Sequence, residues 1–292
     1  MRRSGLNHVR RNWVIVLALF IFSVIVAYAF DWPSSAGAYQ YGFGSIRNGF
    51  LRGTELTSGN GIVQSSDEGE LIFSSESELL PGGYPLHGGS ILAIAHSDDM
   101  MTIYSGLEPG SLSTYLKLVK KGDALGRGSG PEKPGGATIY VFDKKERQYI
   151  NPIIVMPRFA DEKAPVIRSV SLSRDGMEFF LASQKMAQQG TYDLLLDTYD
   201  LSPSGSPSAP YDIRILVDGS ERVHLVYDAV WSTAGTSILF GSMSLVENTF
   251  VMPDGRLRFG PYTLPRGRFV LTVIVADYAG NTREQTYALS IQ

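Results

Sequence analysis

The sequence predicts an all-β protein of two units behind an N-terminal signal or anchor helix. Its 292 residues suit about two domains. The apolar residues fall in short runs rich in Ile, Val, Phe, Tyr and Thr, each bounded by Gly, Pro, Asn or Asp, which is the strand-and-turn pattern. Long runs with helical period are scarce. Apolar residues make up 43% and charged residues 19%, enough to bury real cores and unlike a disordered chain.

The N-terminal segment comes first. Arg2, Arg3, Arg10 and Arg11 form a basic stretch, and Trp13 to Phe30 then run without a charge. Ala27-Tyr28-Ala29 has the small-x-small pattern that signal peptidase accepts, so residues 1–29 are expected to be a signal peptide. The competing reading is an uncleaved anchor, since about 18 apolar residues just span a bilayer. Either way the positive-inside rule places the remainder outside the cytoplasm, in the periplasm or cell envelope. The formal net charge is -3, and without these four arginines it is -7. An acidic chain with no basic block excludes nucleic acid as a partner class. With no cysteine, disulfides, thiolate metal sites and a cysteine nucleophile are excluded too.

Residues 30–45, rich in Gly, Ser and Tyr, read as an extended lead-in. Residues 46–157 form the first β unit. Its clearest strands are Glu70–Phe73, Ser90–Ala95, Met101–Tyr104 and Ala137–Phe142, and one helical turn is expected within Ser111–Lys121. Asn151-Pro152 and Pro157 stop the pattern, and residues 158–165 form a polar linker. The second unit, 166–292, shows strands at Val166–Leu172, Gly190–Leu196, Tyr211–Val217, Val223–Tyr227, Thr236–Phe240, Arg256–Phe259, Phe269–Ala276 and Gln285–Ile291. That number at that spacing predicts a β-sandwich. Ser202–Pro210 reads as a mobile low-complexity insertion.

Several pieces of the first unit follow a known order. Gly53-Thr54-Glu55-Leu56 sits where G-x-D-I is expected, and Ile91 to His96 resembles V-x-I-x-H. Thr102 to Leu107 resembles T-x-Y-x-H-L, Val119 to Gly126 resembles V-x-x-G-x-x-I-G, and Gly136 to Phe142 resembles G-x-H-x-H-F-x-V. Together they make residues 42–157 resemble the LytM/lysostaphin-type zinc metalloendopeptidases, which cleave peptide cross-links of bacterial peptidoglycan. The resemblance implies a LytM-like antiparallel β domain. It places Leu51, Glu55 and Ile139 at the zinc ligands, and Ala137 and Gly106 at the two catalytic histidines. A hydrolytic zinc needs three lone-pair donors and an open water position. Leu, Ile, Ala and Gly offer none, so no zinc or other cofactor and no catalytic residue is expected. The implied domain is a pseudoenzyme whose groove binds cell-wall peptide or docks a cell-wall hydrolase. Phe50, Arg52, Glu55, His96, Tyr104 and Arg127 are the groove candidates, because arginine and aromatic side chains suit a short acidic peptide. Two alternatives stand: an active zinc endopeptidase with atypical ligands, and a structural or adhesive envelope protein. The membrane is a partner if the first segment stays attached.

Other constellations read blandly. His96 with Asp98 and Asp99 could bind a metal, but a histidine ending a strand beside a solvated turn accounts for them. His87 falls in an exposed loop. No Gly-x-Ser-x-Gly sits on a nucleophile turn. Asp277-Tyr278-Ala279-Gly280-Asn281 resembles the D-x-A-G-N turn of bacterial immunoglobulin-like domains, so 164–292 resembles such a sandwich. A tight turn explains the motif, and calcium binding is its functional alternative.

Overall fold

The computed structural model describes residues 30–34, 38–46, 49–57, 61–76, 89–113, 115, 117–129, 136–233, 237–240, 243–246 and 250–292. The N-terminal segment and His87 lie outside them. The fold is all-β, as predicted. The strands of the first part are β1 (Ala38–Tyr41), β2 (Thr54–Thr57), β3 (Ile62–Gln64), β4 (Gly69–Ser75), β5 (Ser90–Ala95), β6 (Met100–Leu107), β7 (Leu118–Val119), β8 (Ala124–Arg127), β9 (Ala137–Asp143) and β10 (Gln148–Ile150). A single helical turn, α1 (Pro152–Val155), follows. Asn151 caps it by accepting from the Ile153 amide, and Pro152 at its first position gives up no needed donor. The turn expected within Ser111–Lys121 is not helical in the described residues: the short strand β7 is there, drawn into the sheet by pairing with β4.

The second part holds β11 (Val166–Arg174), β12 (Met177–Phe180), β13 (Met186–Ala187), β14 (Gly190–Leu201), β15 (Pro207–Ser208), β16 (Asp212–Val217), β17 (Ser220–Val226), β18 (Ala229–Thr233), β19 (Ser237–Phe240), β20 (Met243–Val246), β21 (Leu257–Leu264), β22 (Gly267–Ala276) and β23 (Thr282–Ile291). Two sheets face each other. One runs β12-β11-β14-β15 with β21 on β14, the other β13-β23-β22-β16-β17. Strand alternation makes them pack: Leu271, Val273 and Val275 of β22 point inward, with Thr272 and Ile274 between them facing out. Each buried aliphatic side chain contributes about 1.5–3 kcal/mol.

The first sheet runs β20-β19-β18-β10-β9-β6-β5-β4-β7, with β2 on β9 and β1 on β2. The strands β18–β20, which come late in the chain, therefore extend this sheet: Tyr149 pairs with Val230 and Ile150 with Ala229. Its inner face, with Leu56, Leu92, Ile94, Tyr104, Ile139 and Val141, forms one core, covered by the β3–β8 ribbon through Val63 and Leu125. The sandwich encloses a second core.

The segment between β1 and β2 joins the two. Phe43 and Phe50 leave the first sheet and pack in the sandwich core, where Phe50 stacks on Tyr227 at 6.2 Å and meets Phe240 edge-on at 5.5 Å. Gly44 makes this possible. It adopts φ +86°, and a Cβ there would fall 2.3 Å from the Tyr227 ring. The Ser202–Pro210 stretch is tied down rather than free. Pro207 and Ser208 pair with β14, and the Ser208 hydroxyl bonds the Gly42 amide (2.7 Å) and the Ser45 hydroxyl (2.9 Å). The Ser208 hydroxyl, which reads as linker composition, here acts as a fastener.

Candidate functional site

Strand alternation decides which residues can form a site. Across β2, β9 and β6, Glu55 pairs with Thr138 and Thr138 with Ser105. These three lie in one row on the outer face of the first sheet, all buried among their neighbours. Tyr140 stands beside them, two residues along β9. The turn carrying Arg52 is pressed onto it: a Cβ on Gly53 would lie 2.8 Å from the Tyr140 ring and 2.4 Å from the Ile139 carbonyl, so only glycine fits. Burial pushes the Tyr140 phenol up to about 12, and Glu55 adds to the rise, while Ser105 and Arg52 pull the other way. The Ser105 hydroxyl lies next to this phenol without meeting hydrogen-bond geometry, and Arg52 Nε is buried with no hydrogen-bond partner.

This geometry corrects the positions expected from the motif order. Ala137 and Ile139 point into the core with Val141, and Leu51 is buried. Thr138 and Tyr140 are the outward pair of β9. Counting G-x-H-x-H from Gly136 reaches these same residues, so a count begun one residue early turned the pair toward the wrong face. Gly106 ends the outward line of β6 in the left-handed region, φ +75°.

Of the six groove candidates, only Arg52 and Glu55 come together. Phe50 belongs to the sandwich core, for the reason given above. Tyr104 has no exposed surface, and its hydroxyl accepts from the Ser66 amide at 2.8 Å. His96 is buried, between the Glu68 carbonyl (2.7 Å from Nδ1) and the Thr102 hydroxyl (2.7 Å from Nε2). The carbonyl can only accept, so Nδ1 carries the hydrogen and Nε2 receives the hydroxyl's. Arg127 is exposed on the β3–β8 ribbon, which packs on the opposite face of the sheet. Thr138 and Tyr140 were missed because the count began one residue early, and Ser105 because it is an "x" position of T-x-Y-x-H-L.

Burial lowers the His96 pKa below its ordinary 6.5, the carbonyl bond and Asp67 opposing. The unfolded chain then binds a proton at a pH where the folded one does not, so stability falls as pH drops below about 6.5. Replacing His96 by Asn removes this part of the acid sensitivity. The check is the urea midpoint from pH 8 to pH 5, and equal slopes in both proteins would contradict the assignment.

The outer face does not fit a zinc ion. The row beside Tyr140 offers one carboxylate, two hydroxyls and a phenol held neutral, against a need for three ionised or imidazole donors. Away from it, one acidic group is close-set among the described residues: carboxylate oxygens of Asp161, Asp200 and Asp277 lie within 4.8 Å of one another. The Asp277 oxygens are occupied by their own turn, accepting from the amides of Gly280 (2.7 Å) and Asn281 (2.9 Å) and from Asn281 Nδ2 (2.7 Å). Asn281 Nδ2 also reaches the Asp161 carbonyl at 3.1 Å, so the D-x-A-G-N turn pins the 158–165 linker.

The fold and this face define the chain as an all-β protein with a polar row sunk into the outer surface of its first sheet. Comparison with known proteins adds the following. The model of an uncharacterised protein family matches residues 164–292, less than half of the chain. No curated protein matches. Among solved structures the chain is similar to lysostaphin, whose solution structure was determined by NMR, at 13% identity and a TM-score of 0.32, over 86% of this chain and 93% of that one.

Proposed function

We propose that the chain is an exported cell-envelope protein whose first β unit is a catalytically degenerate relative of the peptidoglycan peptidases and binds cell-wall peptide. The ordered motifs between residues 42 and 157 support the kinship. The observation that carries the loss of catalysis is the row Glu55–Thr138–Ser105 beside Tyr140. In neither count of the motif do the ligand positions supply three donors: Glu55 stands with Leu51 and with either Ile139 or Tyr140. The part of this site that suits a peptide is Arg52 at the edge of the row, half-buried, whose guanidinium can meet the peptide's carboxylates.

Purified full-length chain is expected to bring down with insoluble peptidoglycan, to carry no stoichiometric zinc and to release no soluble wall fragments. Arg52→Ala is expected to weaken retention roughly tenfold, the equivalent of one charge-assisted hydrogen bond of about 1.5 kcal/mol. One zinc per chain together with chelator-sensitive wall digestion would overturn the reading in favour of an active endopeptidase with atypical ligands. Unchanged retention in Arg52→Ala would remove the row as the binding face.

A further inference from the structure

The corner of the first sheet where β4 meets β7 is unusually apolar for an outer surface. Ile72 is 52% exposed, Phe73 44%, Leu118 74% and Tyr115 83%. Half of the large apolar side chains exposed among the described residues are these four, the others being Met177, Phe180, Met186 and Val270. Register explains how Ile72, Phe73 and Leu118 share one surface, and Tyr115 is three residues before Leu118 in the chain. Leu118 pairs with Glu70, whose side faces outward, and an irregularity between Leu71 and Phe73 leaves Ile72 and Phe73 both outward. Lys117 and Lys120 are exposed in the same stretch, and Lys117 pairs with Glu70 at 3.7 Å.

The chain enters the fold at this corner. The Phe30 amide donates to the Val155 carbonyl (3.2 Å), and the Asp31 amide donates to the Ser66 carbonyl (2.9 Å). Asp31 also pairs with Lys121 at 2.9 Å. Lys121 is three residues beyond Leu118, hence within about 10 Å of it. Phe30 is both the last residue of the uncharged run Trp13–Phe30 and a buried residue of the first core, 2% exposed. No spacer separates the apolar run from the fold. Cleavage after Ala29 would also create an ammonium on a residue whose side chain is buried, an unfavourable place for a charge.

We infer that the N-terminal segment stays attached as a membrane anchor and that Ile72, Phe73, Tyr115 and Leu118 rest in the lipid headgroup region of the same bilayer. The tether holds the corner at the bilayer surface. Apolar side chains flanked by lysines, with a tyrosine among them, are what an interfacial contact uses. The row at Glu55, Thr138 and Ser105 begins two strands away on β6, about 10 Å from β4.

The chain has no cysteine, so a single introduced one can carry a fluorescent label. Full-length L118C is labelled and reconstituted in vesicles of phosphatidylcholine and phosphatidylglycerol, with nitroxide-bearing lipids as shallow quenchers. Its emission is expected to fall to roughly half, as for a group about 5–10 Å into the interface. A label in M177C, also exposed but on β12 of the sandwich, is expected to stay unquenched. Adding I72S and F73S to L118C is expected to relieve the quenching. The inference is overturned if L118C is quenched no more than M177C, or if I72S and F73S change nothing. A label shielded from water but untouched by lipid quenchers, meaning a protein cover, overturns it as well. So does a cell-derived chain whose mass lacks the first 29 residues. Peptidoglycan retention is a separate readout, so either proposal can fail alone.

Discussion

Replacing Phe50 by alanine is expected to destabilise the folded chain by about 3–5 kcal/mol, the range for emptying an aromatic site in a packed core. Phe50 lies between Tyr227, Phe240 and Phe43 in the sandwich core, although it sits in the chain between two strands of the other sheet. The cavity would therefore open in the sandwich and at the same time loosen the segment that joins the two cores. Urea unfolding of the full chain, followed by tryptophan fluorescence, gives the measurement. A loss under about 1 kcal/mol would mean that Phe50 is a surface side chain, as a groove residue would be. Phe50→Leu, which keeps most of the volume, is expected to cost much less.

Asp200→Asn is expected to stabilise the protein at pH 8 and to leave it nearly unchanged at pH 4. Burial raises the Asp200 carboxyl from 3.8 to about 7, with Asp277 and Asp161 adding repulsion and a hydrogen bond from the Leu201 amide opposing. One of its oxygens, Oδ1, is buried without a partner. Below 3.8 the acid is protonated in both folded and unfolded chains and costs nothing. Between 3.8 and about 7 the folded chain keeps the proton that the unfolded chain releases, so stability declines as pH rises through this window. Above it the full penalty remains. Asparagine keeps the shape and the acceptor without the charge. Allowing for solvent screening of a partly exposed group, the gain at pH 8 is on the order of 2 kcal/mol. Thermal midpoints of both proteins at the two pH values decide it. A gain of equal size at pH 4, or a loss at pH 8, would show that the trio does not work this way.

Much of the fold was legible because strand periodicity is local. The predicted runs Ser90–Ala95 and Ala137–Phe142 are β5 and nearly all of β9, and Phe269–Ala276 lies inside β22. Short pieces such as Leu118–Val119 and Ala229–Thr233 escaped, since they are strands only because a neighbouring strand supplies hydrogen-bond partners. The candidate site was legible by half. Glu55 and Arg52 stood out as polar residues in a motif, while Ser105, Thr138 and Tyr140 are ordinary strand residues whose common face depends on register. A one-residue offset moves every side chain of β9 to the other side of the sheet.

By itself, then, the sequence determined the all-β class, most strand positions and the lack of imidazole donors at the motif positions, because composition and alternation need no distant partner. Only the tertiary structure decided that Phe50, Tyr104 and His96 are core residues, that Ser208 fastens the lead-in, and that late strands extend the first sheet. Those outcomes depend on contacts between residues far apart in the chain, where the energy of burial and pairing is fixed by what lies opposite and not by what lies next.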